Sequence, residues 1–180
     1  NYFQRQIARW SQQYRASETE TIAAMDRLID WLPGNIPAGE ETSIVHGDFR
    51  MDNLIFHPAE PRIVAVVDWE LSTLGHPLGD FAYHAMTWRF TPELFRGLAG
   101  ADLAALGIPD EKAYVAAYCR RTGRAGIEHW DFYMGFVMFR MAAIFQGIMG
   151  RVRDGTATDA RAREAGAKAR PVAELGWQQV

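Results

Sequence analysis

The residues best equipped for chemistry lie in one short polar centre, Val45-His46-Gly47-Asp48-Phe49-Arg50-Met51-Asp52-Asn53-Leu54-Ile55-Phe56, followed by Ile63-Val64-Ala65-Val66-Val67-Asp68-Trp69-Glu70. Asp48 comes just after one apolar, β-branched run, Asn53 just before the next, and Asp68 at the end of a third. A small β-hairpin would bring these three oxygen-bearing side chains to one end of a sheet. Hard oxygen ligands in that setting suit Mg²⁺, which takes a few carboxylates with phosphate and water rather than a full protein cage.

The pattern His46-Gly47-Asp48, four residues, Asn53, then a strand ending in Asp68 resembles the kinase-like phosphotransferases, the family of aminoglycoside phosphotransferases, choline kinases and homoserine kinases. The resemblance implies an ATP-dependent transferase acting on the hydroxyl of a small molecule. In it Asp48 is the base that accepts the hydroxyl proton, and Asn53 and Asp68 hold Mg²⁺ on the ATP phosphates. Arg50 stands where protein kinases commonly carry a lysine that offsets charge on the transferred group. These roles suit phosphoryl transfer, which gains most from positioning and charge neutralisation. His46 is expected to order the loop through a backbone hydrogen bond, and Asp80 to brace it or to cap the helix Phe81 to Trp88. The run Glu70 to Asp80 resembles the subgroup fused to, or encoded beside, acyl-CoA dehydrogenases, which implies a hydroxyacyl acceptor.

Other readings of the same residues compete. Asp and Asn favour strand ends and turns whatever the function. His46, Asp48, His57, Asp68, His76 and His84 are numerous enough for a metallohydrolase, although no pair has the His-x-His or His-Glu-x-x-His spacing common in zinc sites. A catalytically silent, kinase-like interaction module is the remaining alternative.

The flanking sequence must position this centre. Tyr2 or Phe3, Ile7, Trp10 and Tyr14 recur at helical spacing, and Ile22, Met25, Leu28, Ile29 and Leu32 form a second stripe that Ser17 and Glu20 would open as a capping box. Short strands are expected at Ser43 to Val45, Leu54 to Phe56 and Ile63 to Val67. After Gly79 the pattern is helical: Thr91-Pro92 as cap and first turn, Ala113 to Arg121 stopped by Gly123, an apolar helix from Ile127 to Met149, and an Ala/Arg-rich surface helix from Thr158 to Leu175 broken near Pro171. Arg140, inside the apolar helix, calls for a carboxylate partner or an anionic ligand if buried, a structural ion pair being the expectation. Trp88, Arg89 and Tyr133 are candidates to line an acceptor cleft. The expected fold class is thus α+β and mostly α-helical, and the resemblance implies the C-terminal lobe of a protein-kinase-like fold with a small β-hairpin carrying the catalytic loop.

Composition narrows the partners. With 180 residues, 48% hydrophobic and 23% charged, the chain can bury one ordinary core. Its 19 Lys+Arg against 22 Asp+Glu argue against a nucleic-acid or anionic-membrane coat. One cysteine, Cys119, rules out an internal disulfide framework. Residues Asn1 to Tyr14 do not read as a secretory signal, so a cytoplasmic protein is expected. Nothing matches a Gly-rich phosphate loop or a strand lysine, and so residues 1–180 are expected to be the C-terminal lobe alone, inactive without an upstream nucleotide lobe.

Overall fold

The computed structural model describes residues 1–180. Two helices come first, α1 (Tyr2–Ser17) and α2 (Ala23–Trp31). Asn1 caps α1 by accepting from the Gln4 amide. The capping box expected at Ser17 does not form: Ser17 is the last residue of α1, and its hydroxyl donates back to the carbonyls of Gln13 (2.9 Å) and Tyr14 (3.2 Å). A serine hydroxyl at a helix end can serve either turn, and here the preceding one captures it.

Strands β1 (Ser43–Val45), β2 (Leu54–Phe56) and β3 (Ile63–Val66) occupy the expected apolar runs, β3 ending one residue early. A fourth strand, β4 (Thr73–Gly75), as short as β1 and β2 but with Leu74 as its one large apolar residue, is not among those expected from the sequence. The four form two antiparallel pairs rather than one sheet. β1 pairs with β4, Val45 opposite Thr73, and β2 with β3, Leu54 opposite Val66.

Beyond them come α3 (Pro77–Ala85), α4 (Pro92–Phe95), α5 (Glu111–Thr122), α6 (Trp130–Arg153), α7 (Ala160–Gly166) and α8 (Ala169–Trp177). The start and stop chemistry matches the sequence. Thr91 accepts from Leu94 N, Asp110 from Ala113 N, and Gly123 ends α5 at φ +70°. Helix α3 instead begins at Pro77, capped by His76, so Asp80 lies in its first turn rather than before it. The Ala/Arg-rich segment is broken at Ala167–Lys168, ahead of Pro171, which sits in the first turn of α8 where its missing N–H has no helical carbonyl to meet. Nor is all of that segment a surface helix: Val172, Ala173 and Gly176 are buried against α2 and α6.

Helix α6 is the axle. It is long and apolar enough to cross a membrane, yet 83% of its most apolar window is buried inside the molecule. It packs against α1, α2, α3, α7 and α8. Phe132, Phe136 and Phe139 join Phe3, Met25, Leu28 and Phe90 in one apolar core. Phe3 meets Phe136 edge-on at 5.0 Å between ring centroids, a favoured aromatic arrangement. The β1–β4 pair sits beside this core, with β1 against α3.

Candidate active site

The loop between β1 and the short turn Met51–Asn53 turns at Gly47, whose φ of +86° favours glycine. A Cβ there would stand 2.5 Å from the Leu71 carbonyl oxygen, so the loop packs directly on the chain that follows Asp68. From α3, the Asp80 carboxylate accepts two backbone N–H groups of the loop, His46 N and Gly47 N, the latter at 2.9 Å. Of the two jobs open to Asp80, it takes the brace.

His46 stitches the loop to the second strand pair. Its Nδ1 lies 3.2 Å from the Asp48 amide and its Nε2 2.8 Å from the Val67 carbonyl oxygen. Both contacts are satisfied only when Nε2 carries the proton and Nδ1 accepts, so the ring is a fixed crosslink. The Trp69 indole covers it at 4.7 Å between centroids.

Register does the rest. Because Leu54 faces Val66, Asn53 faces Val67, and the Val67 amide donates to the Asn53 carbonyl at 2.9 Å. Asp68 is the next residue. It adopts left-handed backbone, φ 69°, which turns the chain sharply away from β3 at some conformational cost. The buried Asn53 side chain donates both Nδ2 hydrogens to Asp48, to its carbonyl oxygen at 2.9 Å and to Oδ2 at 3.1 Å. That fixes the amide orientation and leaves Oδ1 as a free acceptor. The Asp68 carboxylate is exposed and makes no hydrogen bond or ion pair within the chain. Two uncommitted hard oxygen donors at one hairpin end are the donor chemistry Mg²⁺ requires.

Asp48 is the most heavily contacted group of the site. Besides Asn53 it accepts from Arg50 Nε at 3.2 Å on Oδ2 and from the Tyr83 hydroxyl at 2.8 Å on Oδ1. Arg50 also reaches Asp52 at 3.3 Å, and Asp52 pairs in turn with Arg96. Tyr83 is buried, and burial together with the neighbouring Asp48 charge pushes its ionisation far up, so it remains a donor. Burial likewise lowers the pKa of His84, whose ring lies among Phe49, Trp88 and Tyr114.

Sequence reasoning missed Tyr83 because a tyrosine on an apolar helix reads as core. Its one signal was position, three residues after Asp80 on the helix face that meets the loop. Arg140 corrects a second expectation. It is buried without a carboxylate partner, its guanidinium lying over the Trp10 (5.5 Å) and Tyr83 (5.2 Å) rings and donating to the Gly47 carbonyl. Two aromatic faces and a carbonyl do the work assigned to an anion. The residues proposed for an acceptor cleft are otherwise engaged: Arg89 pairs with Glu111 at 2.7 Å, and Trp88 stacks on Tyr114 at 4.4 Å. Tyr133 lies away from Asp48, beside His76 and the Pro37–Glu41 segment. No three His, Cys, Asp or Glu side chains gather as a metal cluster.

Known proteins carry the same architecture. Over 99% of its length the chain superposes on 55% of a solved Ralstonia eutropha structure, provisionally described as an aminoglycoside phosphotransferase, with a TM-score of 0.97 and 62% identity. It is 47% identical to acyl-CoA dehydrogenase family member 10 of Mus musculus and 39% identical to family member 11 of Rattus norvegicus, in each case over 98% of the chain. The chain spans only 17% and 23% of those relatives. Residues 1–136 match the Phosphotransferase enzyme family, and with three quarters of its length inside that match the chain belongs to this family of kinase-like transferases.

Proposed function

We propose that this chain is the acceptor-binding, catalytic lobe of an ATP-dependent small-molecule kinase. The observation that carries the reading is the stitching of one loop and one hairpin: Asn53 holds Asp48 from one side, and its backbone holds the residue before Asp68 from the other. Asp48 orients the acceptor hydroxyl and takes its proton. Arg50, already against Asp48 and one-third exposed, faces the cleft with a fixed positive charge for the transferred group. Asn53 Oδ1 and the Asp68 carboxylate are the groups that would hold Mg²⁺, which when bound offsets the charge of the ATP phosphates. His46 and Asp80 are braces and take no part in proton transfer.

The nucleotide's other half is assigned to an upstream lobe of the same protein. The faces such a lobe would cover are apolar and open: Ile44 is 71% exposed, Leu74 63% and Leu71 54%, a concentration that marks an interface rather than a finished surface. Without that lobe the chain clamps only half of the triphosphate and is inactive. The acceptor is a small hydroxylated molecule, a hydroxyacyl compound being the candidate favoured by the acyl-CoA dehydrogenase kinship.

The test is product analysis by mass spectrometry after the full-length protein is incubated with ATP, Mg²⁺ and a panel of hydroxylated metabolites. Gain of one phosphoryl group by an acceptor, abolished by Asp48→Asn in a folded variant, supports the reading. Intact acceptors and unspent ATP across the panel favour the silent interaction module instead.

A further inference from the structure

The hydrogen bonds around Asp48 distinguish its two oxygens, and the catalytic meaning of that difference rests on the kinase reading above. A carboxylate offers two lone-pair directions on each oxygen. Both directions on Oδ2 are taken, by Arg50 Nε at 3.2 Å and Asn53 Nδ2 at 3.1 Å. Oδ1 accepts a single bond, from the Tyr83 hydroxyl at 2.8 Å. The one direction left over belongs to Oδ1.

We propose that Tyr83 is the positioning residue of the reaction: its hydroxyl locks the rotation of the Asp48 carboxylate so that Oδ1 presents its remaining lone pair to the acceptor. In the step it serves, the acceptor O–H bond breaks and its proton passes to Asp48 Oδ1. The acceptor oxygen bonds to the γ-phosphorus of ATP while the bond from that phosphorus to the β–γ bridging oxygen breaks. The bridging oxygen keeps the electron pair and leaves as part of ADP.

Tyr83 is built to hold still. Its ring is 5% exposed, on a helix that also anchors the loop through Asp80. Arg140 lies over that ring at 5.2 Å, is itself wedged against Trp10 at 5.5 Å, and donates to the Gly47 carbonyl, one residue before Asp48. The same guanidinium therefore steadies both the tyrosine and the loop it bonds to. Its Nε has no partner, so this buried cation is held by aromatic faces and one carbonyl alone, a fit that only a rigid surround maintains. A cleft of about 100 Å³ is lined by Tyr83 and Arg50, the two residues that bond opposite oxygens of Asp48, together with Asp52, His84, Thr87 and Phe90.

Steady-state kinetics on Tyr83→Phe in the full-length protein, with ATP and an acceptor found by the product screen, tests the assignment. Phenylalanine keeps the ring under Arg140 and removes only the bond to Oδ1. The expected result is a fall in kcat of about 10-fold, with KM for ATP unchanged and a thermal midpoint lowered by no more than about 4 °C, the loss of one hydrogen bond. In an Asp48→Asn background the same substitution should cost nothing further, because the group it orients is gone. An unchanged kcat, or a fall explained by partial unfolding at the assay temperature, overturns the proposal while leaving the kinase reading intact. Absence of turnover in the wild-type full-length protein overturns both together.

Discussion

The helical half and the strand-bearing half of this molecule are held together by different forces. Around α6 nearly every apolar side chain is inside: Phe136, Phe139, Leu28 and Met138 are each at most 1% exposed. Between Ser43 and Gly75 the proportions invert, with Ile44, Ile55, Phe56, Ile63, Val64 and Leu74 all substantially exposed. Two-stranded ribbons are marginal on their own. What fixes them here is a small set of polar bonds reaching out from the helices, by Asp80, Tyr83 and Arg140, and across the ribbons, by His46 and Asn53. The scaffold is held by burial and the loop by hydrogen bonds.

Two substitutions with effects of comparable energy should fall on opposite sides of that division. Phe136→Ala empties a fully packed position against Phe3 and Phe132 and should lower unfolding stability by about 4 kcal/mol in denaturant titration. Asp48→Asn should slow the full-length enzyme about 10³-fold, roughly 4 kcal/mol of barrier, while moving stability by less than about 1 kcal/mol. If Asp48→Asn instead unfolds the chain, the site carries the fold and the contrast fails.

Asp80→Ala should show both effects at once. It strands the amides of His46 and Gly47, a loss of about 2 kcal/mol in stability, and it frees the loop that carries Asp48, so turnover falls with it. A variant that loses stability but keeps full turnover would mean that Asp48 is positioned by Asn53 and Tyr83 alone.

Legibility in the sequence divides along the same line. The helices could be read because their forces are periodic and local: the stripe from Ile22 to Leu32, the Thr91 cap and the Gly123 stop appear in the sequence where they appear in the fold. The loop could be read only as a pattern of residue types. Nothing in the order of residues says that Asn53 would face Val67, since register emerges from pairing, nor that Arg140, 93 residues after Gly47, would reach its carbonyl. Tyr83 stayed hidden for that reason, reading as an ordinary member of an apolar helix, whereas Arg140 stood out in the sequence but its partners, two aromatic rings and the Gly47 carbonyl, did not. Ser17 misled in the reverse sense, its capping-box spacing being real but its hydroxyl claimed by the turn before it.

Acid should loosen the junction of the two halves. Burial lowers the pKa of His84 and of His76, whose Nδ1 also accepts from Leu78 N at 3.3 Å. With folded values below the unfolded value of about 6.5, the unfolded chain binds more protons once pH drops past that point. Stability is therefore full above about pH 6.5 and declines as pH falls toward the folded values. Thermal melts between about pH 7.5 and 5.5 should show a falling midpoint, reduced in His84→Phe, where the ring still packs among Phe49, Trp88 and Tyr114. A flat profile would mean that the junction is not strained by protonation.

The smallest effect is the most telling about the strand half. Leu74→Thr changes a side chain that is 63% exposed and introduces the β-branching a strand favours, so in residues 1–180 alone stability should move by no more than about 0.5 kcal/mol. In the full-length protein the same position, if covered by the upstream lobe, loses buried apolar area, and the cost should rise to about 1–2 kcal/mol or emerge as a higher KM for ATP. Equal effects in both contexts would mean that the face stays open and that its apolar residues serve something other than the nucleotide lobe. A cost only in the longer chain would tie the exposed strands to lobe closure, and would explain why this region leaves unburied what the helical half encloses.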